Sequence, residues 1–342
     1  MGKRVRIGLL GAGRIGRLHG ENLAHAVPEA ELYAVADPYL NDEGRAWAKE
    51  MGIEKAYTDP EEIFNDKSIE AVFICSSTNT HADFIIRAAA AGKHIFCEKP
   101  IDTNLTKIQE ALDVVKKAGV KLQVGFVRRF DHNHKAVADA VKNGVIGDPH
   151  IVIVNSRDPE PPPASYVAVS GGIFYDMMIH DFDMVRYVTG SEAVEVSSVG
   201  ACLVNPNLQE ESGIPDVDTA VVTMKMENGC IAVISNSRQA VYGYDQRVEA
   251  FGSKGMAADS NDLLHTAAIT TVDGTRTEKP LWFFLERYNN AFIEEAKEFI
   301  DCVVNGKEPS VTGFDGLAPV RIAMAAKKSL EEGRPVRLDE IK

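Results

Sequence analysis

VRIGLLGAGRIG, residues 5–16, restricts the fold more than any other segment. An apolar run ends in glycines spaced GxGxxG, and a helical pattern opens directly behind it. Gly11 permits the tight turn, Gly13 lets the backbone approach a pyrophosphate, and Gly16 brings helix and strand together. A helix beginning at such a turn points free N–H groups at the phosphates. The spacing alone also fits a glycine-rich turn that binds nothing, so the order of the flanking elements carries the reading. The next apolar run, ELYAVAD, ends at Asp37, roughly twenty residues past the last glycine. A carboxylate there accepts hydrogen bonds from adenosine ribose hydroxyls and repels a 2′-phosphate, which favours NAD over NADP. Pro38 follows with no adjacent Arg or Lys, and only Arg45 in the next helical stretch offers a cation. Gly11, Gly13, Arg14, Ile15, Gly16 and Asp37 are the expected cofactor contacts.

Further apolar runs, EAVFICSS, KHIFCEK and KLQVGF, alternate with amphipathic stretches up to about Phe126. Such alternation predicts βαβ units and a parallel sheet covered by helices on both faces. From His150 to Val272 strand patterns follow one another, with one clear helix at about 172–188 between them. Asn228-Gly229 between two of these strands predicts a hairpin. The second half is therefore expected to be mainly antiparallel. Closing helices are expected at about 286–305 and 316–332, with Gly306 and Gly333 just past their ends. RDPEPPPAS at 157–165 reads as a stiff loop. The expectation is an α/β chain with a Rossmann domain at 1–125 and an α+β domain at 126–342, built on a large, mostly antiparallel open sheet.

At 342 residues the chain suits two domains, and its net charge of −13 opposes a nucleic-acid partner. No apolar run approaches the ~20 residues that span a bilayer. The start imitates a signal peptide, but Gly11, Arg14 and Arg17 interrupt the apolar region. Cys75, Cys97, Cys202, Cys230 and Cys302 are scattered without CxxC spacing, which fits a reducing cytoplasm and no thiolate metal site.

Three further segments carry chemistry. CSSTNTH, residues 75–81, closes a core strand, where open α/β sheets place their ligands. Ser76, Ser77, Thr78, Asn79 and His81 meet a nicotinamide ribose on one reading, and on another Thr78 or Asn79 caps the next helix. HIFCEKP, residues 94–100, hangs Lys99 over the same edge. An ammonium there holds a substrate hydroxyl and stabilises developing alkoxide charge, although lysines are ordinarily solvated. In GGIFYDMMIHDFDM, residues 171–184, helical spacing places Asp176, His180 and Asp183 on one face and Asp181 elsewhere. A metal site needs three or four convergent ligands, and no second His/Asp/Glu cluster is evident as a partner. Helix capping and solvated charge suit Asp181 and Asp183, the latter beside Arg186. A histidine, with an ordinary pKa of ~6.5, suits His180 to accept a hydroxyl proton, with Asp176 one turn earlier to orient it.

GAGRIG, Glu98-Lys99-Pro100, and Asp176 followed by His180 together resemble the glucose-fructose oxidoreductase and inositol dehydrogenase family of NAD(P)-dependent enzymes. The resemblance covers essentially the whole chain. GFVRRFD, SRDPEPPP, SGGIFYDMMIHDFDM and YGYDQRVEAFGSKG look most like its inositol 2-dehydrogenase branch. It implies NAD-dependent oxidation of myo-inositol to 2-keto-myo-inositol (scyllo-inosose), with His180 as base, Lys99 and Asp176 beside it, and no metal. Another cyclitol or sugar, such as scyllo-inositol or glucose, is the alternative substrate; a nicotinamide-binding sensor without turnover is the alternative outside catalysis. The resemblance adds Glu98 to the cofactor contacts, and Arg128, Asp158, Tyr242 and Tyr244 to Lys99, Asp176 and His180 as contacts to a polyol. From the residues alone, Arg128 and Arg129 also read as surface charge, Asp158 as a turn starter and the tyrosines as strand packing. The family further implies a homotetramer; the net charge and the short apolar runs speak against nucleic acid and membrane as partners.

Overall fold

The computed structural model describes residues 4–342. The chain packs into two compact units: one runs up to Val127 and takes in Asn290–Ala318, and the other comprises Arg128–Asn289 with Pro319–Lys342.

In the first unit β1 (Val5–Leu10), β2 (Ala30–Ala36), β3 (Lys55–Tyr57), β4 (Ala71–Ile74), β5 (His94–Glu98) and β6 (Leu122–Gly125) form a parallel sheet. Their order, β3-β2-β1-β4-β5-β6, is that of a doubly wound dinucleotide-binding fold. Every residue of β4 is fully buried, which explains strands that read apolar throughout rather than alternating. Phe73 and Phe96 stack at 4.5 Å between centroids, and Phe299 meets Phe73 edge-on at 5.4 Å. Such aromatic pairs contribute about 0.5–1.5 kcal/mol beyond the area they bury. Phe299 belongs to the helix Asn289–Asn305, whose Ala296 and Ile300 join the same core. The Val124 N–H also donates to the Val311 carbonyl at 3.1 Å, occupying part of the β6 edge. The units are therefore not two consecutive stretches, 1–125 and 126–342. The apolar face of a late helix is satisfied by the first core, and the chain returns to supply it.

The second unit carries β7 (Pro149–Arg157), β8 (Ala193–Ala201), β9 (Thr219–Met226), β10 (Ile231–Ser237), β11 (Asp245–Gly252) and β12 (Gly255–Ala258). The short strands β13 (Ile269–Thr271) and β14 (Gly274–Arg276) pair apart from them, and β15 (Val336–Arg337) completes a seven-stranded sheet. Its order is β12-β11-β7-β10-β9-β8-β15, with only the β7–β10 neighbours parallel. The β9–β10 hairpin turns through Asn228-Gly229, and the φ of +87° at Gly229 is one that L side chains avoid. Period-two alternation gives the sheet a buried face, with Val152, Val154, Val222, Ile234 and Val248, against which the helix Met178–Thr189 packs. On the opposite face Val199, Val221, Ile231 and Phe251 are exposed.

The single helix expected at 172–188 is present as Ile173–Asp176 and Met178–Thr189, preceded by Ala164–Ser170. Gly171 and Gly172 both have positive φ, and the Asp216 carboxylate accepts the Ile173 N–H at 3.0 Å. The closing helices run Asn289–Asn305 and Gly313–Glu332, followed by left-handed Gly306 and Gly333. All five cysteines are free thiols, and among the described residues no helix is long and apolar enough to cross a membrane.

Candidate active site

The three glycines of the first turn answer to three different constraints. At Gly11, with φ +99°, a Cβ would lie 2.6 Å from the Cys75 carbonyl oxygen of the neighbouring strand end. At Gly16 a Cβ would collide with the Gly11 carbonyl. At Gly13 nothing lies within 4 Å of a Cβ, so the space in front of the turn is open. The helix Arg14–His25 begins there with no side-chain cap and no acidic residue in its first turn. A helix start of this kind suits an anion, and Arg14 and Ile15 stand in its first turn. Asp37 closes the turn, since its carboxylate accepts the Ala12 N–H at 2.7 Å and the Tyr39 N–H at 2.8 Å. These residues fit a dinucleotide held by its pyrophosphate and adenosine ribose.

At the end of β4 the Ser76 and Thr80 hydroxyls are 2.7 Å apart, and Thr78–Thr80 forms a single 3-10 turn. Thr80, not Thr78 or Asn79, occupies the cap position of the helix His81–Ala90, and its side chain does not cap it. Thr78 and Asn79 therefore keep their place as cofactor candidates at a strand end. His81 does not: it is buried, with Nδ1 2.8 Å from the Pro100 carbonyl and Nε2 3.0 Å from the Ser76 carbonyl. Its ring joins two loops of its own unit, and burial lowers its pKa from the usual value. Glu98, another expected cofactor contact, turns into the core, with Oε1 2.8 Å from His19 Nε2. Lys99 follows as the first residue beyond β5 and precedes a cis proline.

In the second unit the aspartates of 171–184 separate by partner. Asp176 is the acceptor for Arg238 Nη1 at 2.9 Å and for the Tyr166 hydroxyl at 3.0 Å. Asp181 has no exposed surface; Arg128 Nη1 donates to it at 2.5 Å and Asn236 Nδ2 at 2.6 Å. Asp183 takes two bonds from Arg129, at 2.7 and 2.5 Å, with Arg186 3.5 Å away. Solvated helix charge is therefore the wrong description of Asp181 and Asp183, and surface charge the wrong one for Arg128 and Arg129. These are buried ion pairs, and ions without such partners are not left in a core. Asp176, His180 and Asp183 do not converge on a metal. Among the described residues, the three-ligand groups are His19–Glu98–Glu295 and Asp131–His132–Asp262, and in the second Arg287 supplies the positive charge.

His180 is part-exposed between the fully buried Ile179 and Asp181, and along this helix it shares that exposure with Tyr187 near the other end. Asp158 lies 3.9 Å from Arg238 Nη1, and burial, partly opposed by Arg238 and reinforced by Asp176, pushes its carboxyl up to about 6. Arg128 reaches Ser156 Oγ at 3.3 Å, which in turn donates to Gln246 at 2.8 Å. Tyr244 is buried, 5.9 Å from Tyr288 between ring centroids, and feels the charges of Arg128, Asp158 and Asp181. Tyr242 belongs elsewhere: its hydroxyl donates to Asp245 at 2.6 Å, beside Arg157 and Arg247. Tyrosines two apart would share a face in a regular strand, but Gly243, at φ +132°, breaks that parity before β11 begins. Sequence reasoning also missed Arg238 and Tyr166, which hold Asp176. An arginine just past the end of β10 was the available signal.

The region 5–126 matches the model of the GFO/IDH/MocA oxidoreductase family, NAD-binding Rossmann fold, and 134–258 matches a GFO/IDH/MocA C-terminal domain. A myo-inositol 2-dehydrogenase of Thermotoga maritima is 49% identical over 98% of this chain and 99% of its own length. An inositol 2-dehydrogenase of Rhizobium meliloti is 44% identical over 98% and 99%. The solved structure of a myo-inositol dehydrogenase from Corynebacterium glutamicum superposes with a TM-score of 0.92 at 38% identity, covering 98% of this chain and 99% of that one. With a matching turn, strand order and two family domains along its length, the chain belongs to the GFO/IDH/MocA family of NAD-dependent oxidoreductases.

Proposed function

We propose that this protein oxidises myo-inositol to 2-keto-myo-inositol with NAD. NAD supplies the hydride acceptor. Gly11, Gly13, Gly16 and the first turn of Arg14–His25 hold its pyrophosphate, and Asp37 receives the adenosine ribose hydroxyls. His180 takes the hydroxyl proton as the carbon is oxidised, a general-base role worth roughly 10²–10⁴-fold in rate. Lys99, assigned by the Glu-Lys-Pro match, donates to the same oxygen and offsets its developing negative charge. Asp176 accepts from a neighbouring ring hydroxyl, and Arg238 and Tyr166 hold its carboxylate in place. Asp158, Arg128 and Tyr244 complete the polar wall a polyol requires.

The observation that carries the reading is the part-exposed His180 at the start of a largely buried helix, four residues beyond an aspartate anchored by a buried arginine. NADH formation measured across a panel of cyclitols and aldoses, with NAD and with NADP, tests it. The expected result is turnover of myo-inositol with NAD, and a His180→Ala variant that loses roughly 10²–10⁴-fold in kcat with unchanged NAD affinity. Preference for scyllo-inositol or glucose would move the substrate; NAD binding without reduction by any alcohol would leave a sensor. The apolar outer face at Val199, Val221, Ile231 and Phe251 supports a homotetramer, which light scattering in solution tests. The five free thiols agree with a cytoplasmic setting.

A further inference from the structure

Lys99 stands between two residues that are each held by a buried histidine. On one side His19 Nε2 meets Glu98 Oε1 at 2.8 Å; on the other, His81 Nδ1 meets the Pro100 carbonyl at 2.8 Å. The two rings are 0% and 2% exposed. His81 also reaches the Ser76 carbonyl, so the segment after β5 is tied to the end of β4. Gly125, paired with Glu98 across β6, leaves room for the carboxylate, since a Cβ there would stand 3.1 Å from it.

Around His19 the hydrogen bonding is incomplete in a way that calls for a proton. Glu295, on the helix that returns to the first unit, is fully buried with Oε1 3.9 Å from His19 Nε2. Neither Glu295 oxygen has a hydrogen-bond partner, nor does His19 Nδ1. Phe73, Phe96 and Phe292 enclose the imidazole, at 5.6, 5.0 and 5.5 Å between centroids. An ionised carboxylate without partners in such surroundings is costly, whereas the neutral acid carries an O–H that can donate. Burial first, then the charge of Glu98, pushes the Glu295 carboxyl well above the usual range. The other titratable groups bearing on it are Glu298 on the same helix and the Cys75 thiol at the end of β4. A hydrogen on His19 Nε2 satisfies Glu98 and leaves a lone pair, not an N–H, unmatched at Nδ1.

We propose that His19, Glu98 and a protonated Glu295 form a buried cluster that, together with His81, acts as a positioning device for Lys99. The function of the device rests on the hydroxyl-binding role given to Lys99 above. Infrared difference spectra of the full chain at neutral pH should show a protonated carboxylic-acid stretch that disappears in Glu295→Gln, while the thermal midpoint moves by no more than about 4 °C. His19→Leu should lower kcat roughly 100-fold, as misplacement of a reacting group by about 1 Å does, with the KM for NAD little changed. His19→Gln, whose amide N–H reaches as far as Nε2–H, should restore most of the lost rate. An acid band unaffected by Glu295→Gln, or native kcat in folded His19→Leu beside an inactive Lys99→Met, overturns the proposal. Native kcat in Lys99→Met instead removes the role of Lys99 itself, and the positioning function with it.

Discussion

The two units present their functional groups by different physical means. In the first, the candidate cofactor site is made of backbone: three glycines, an uncapped helix start and an aspartate fastened to a main-chain N–H. In the second, the polyol candidates are side chains locked by buried ion pairs between residues far apart in sequence, Arg128 with Asp181 and Arg238 with Asp176. A backbone site depends on the absence of atoms, whereas an ion-pair site depends on both partners being present. The first tolerates no added atom where a ligand must lie. The second tolerates no missing charge.

The sharpest test of that contrast removes one charge. Arg128→Met leaves Asp181 buried without its cation, and deleting one partner of a buried pair costs about 3–5 kcal/mol. The expected outcome is a large drop in the second unit's thermal stability, read by calorimetry, with NAD still bound by the first. Undiminished stability would mean that Asn236 alone satisfies Asp181 and that the contrast is overstated.

Its counterpart adds atoms. Gly13→Val places a side chain where no protein atom lies within 4 Å of the Cβ, at an ordinary negative φ, so the melting temperature should stay unchanged. NAD affinity, followed by fluorescence titration, should fall on the order of 10–100-fold, about 1.4–2.8 kcal/mol. A loss of folding instead of affinity would show that the turn is packed rather than open.

The legibility of the two units in the sequence follows the same line. GxGxxG, the strand ends at Asp37 and Lys99, and the parallel order of the sheet are local patterns, visible because glycine spacing and apolar runs have direct conformational meaning. The burial of Asp181 and Asp183 was not visible, because their partners Arg128 and Arg129 lie some fifty residues earlier. Tyr242 was misplaced for want of the backbone angle at Gly243. His81 read as a ligand contact because its two carbonyl partners come from separate loops. Helix return by 290–318 escaped notice because an amphipathic helix does not declare which core it will cover.

The smallest expected effect concerns Asp158, whose carboxyl is raised to about 6 chiefly by burial. The folded protein keeps that proton to higher pH than the unfolded chain. Its contribution to stability is therefore fully present below the ordinary aspartate pKa of about 4 and is lost as pH rises through about 6. The difference in melting temperature between the native protein and Asp158→Asn should shift against the native protein across that window and be flat above pH 7. A flat difference throughout would place Asp158 with the ordinary solvated acids and weaken the ion-pair description of the second unit.

The return of 290–318 to the first unit also sets an order of assembly. A chain leaving the ribosome exposes β1 to β6 long before Phe299 and Glu295 have been synthesised, although N-terminal domains generally fold first. Phe73, Phe96 and His19 must wait for that cover while the strands β7 to β14 are translated. A fragment that stops before residue 290 contains every cofactor motif and lacks the helix that finishes its core. The half of the protein that begins the sequence is thus among the last parts to be completed.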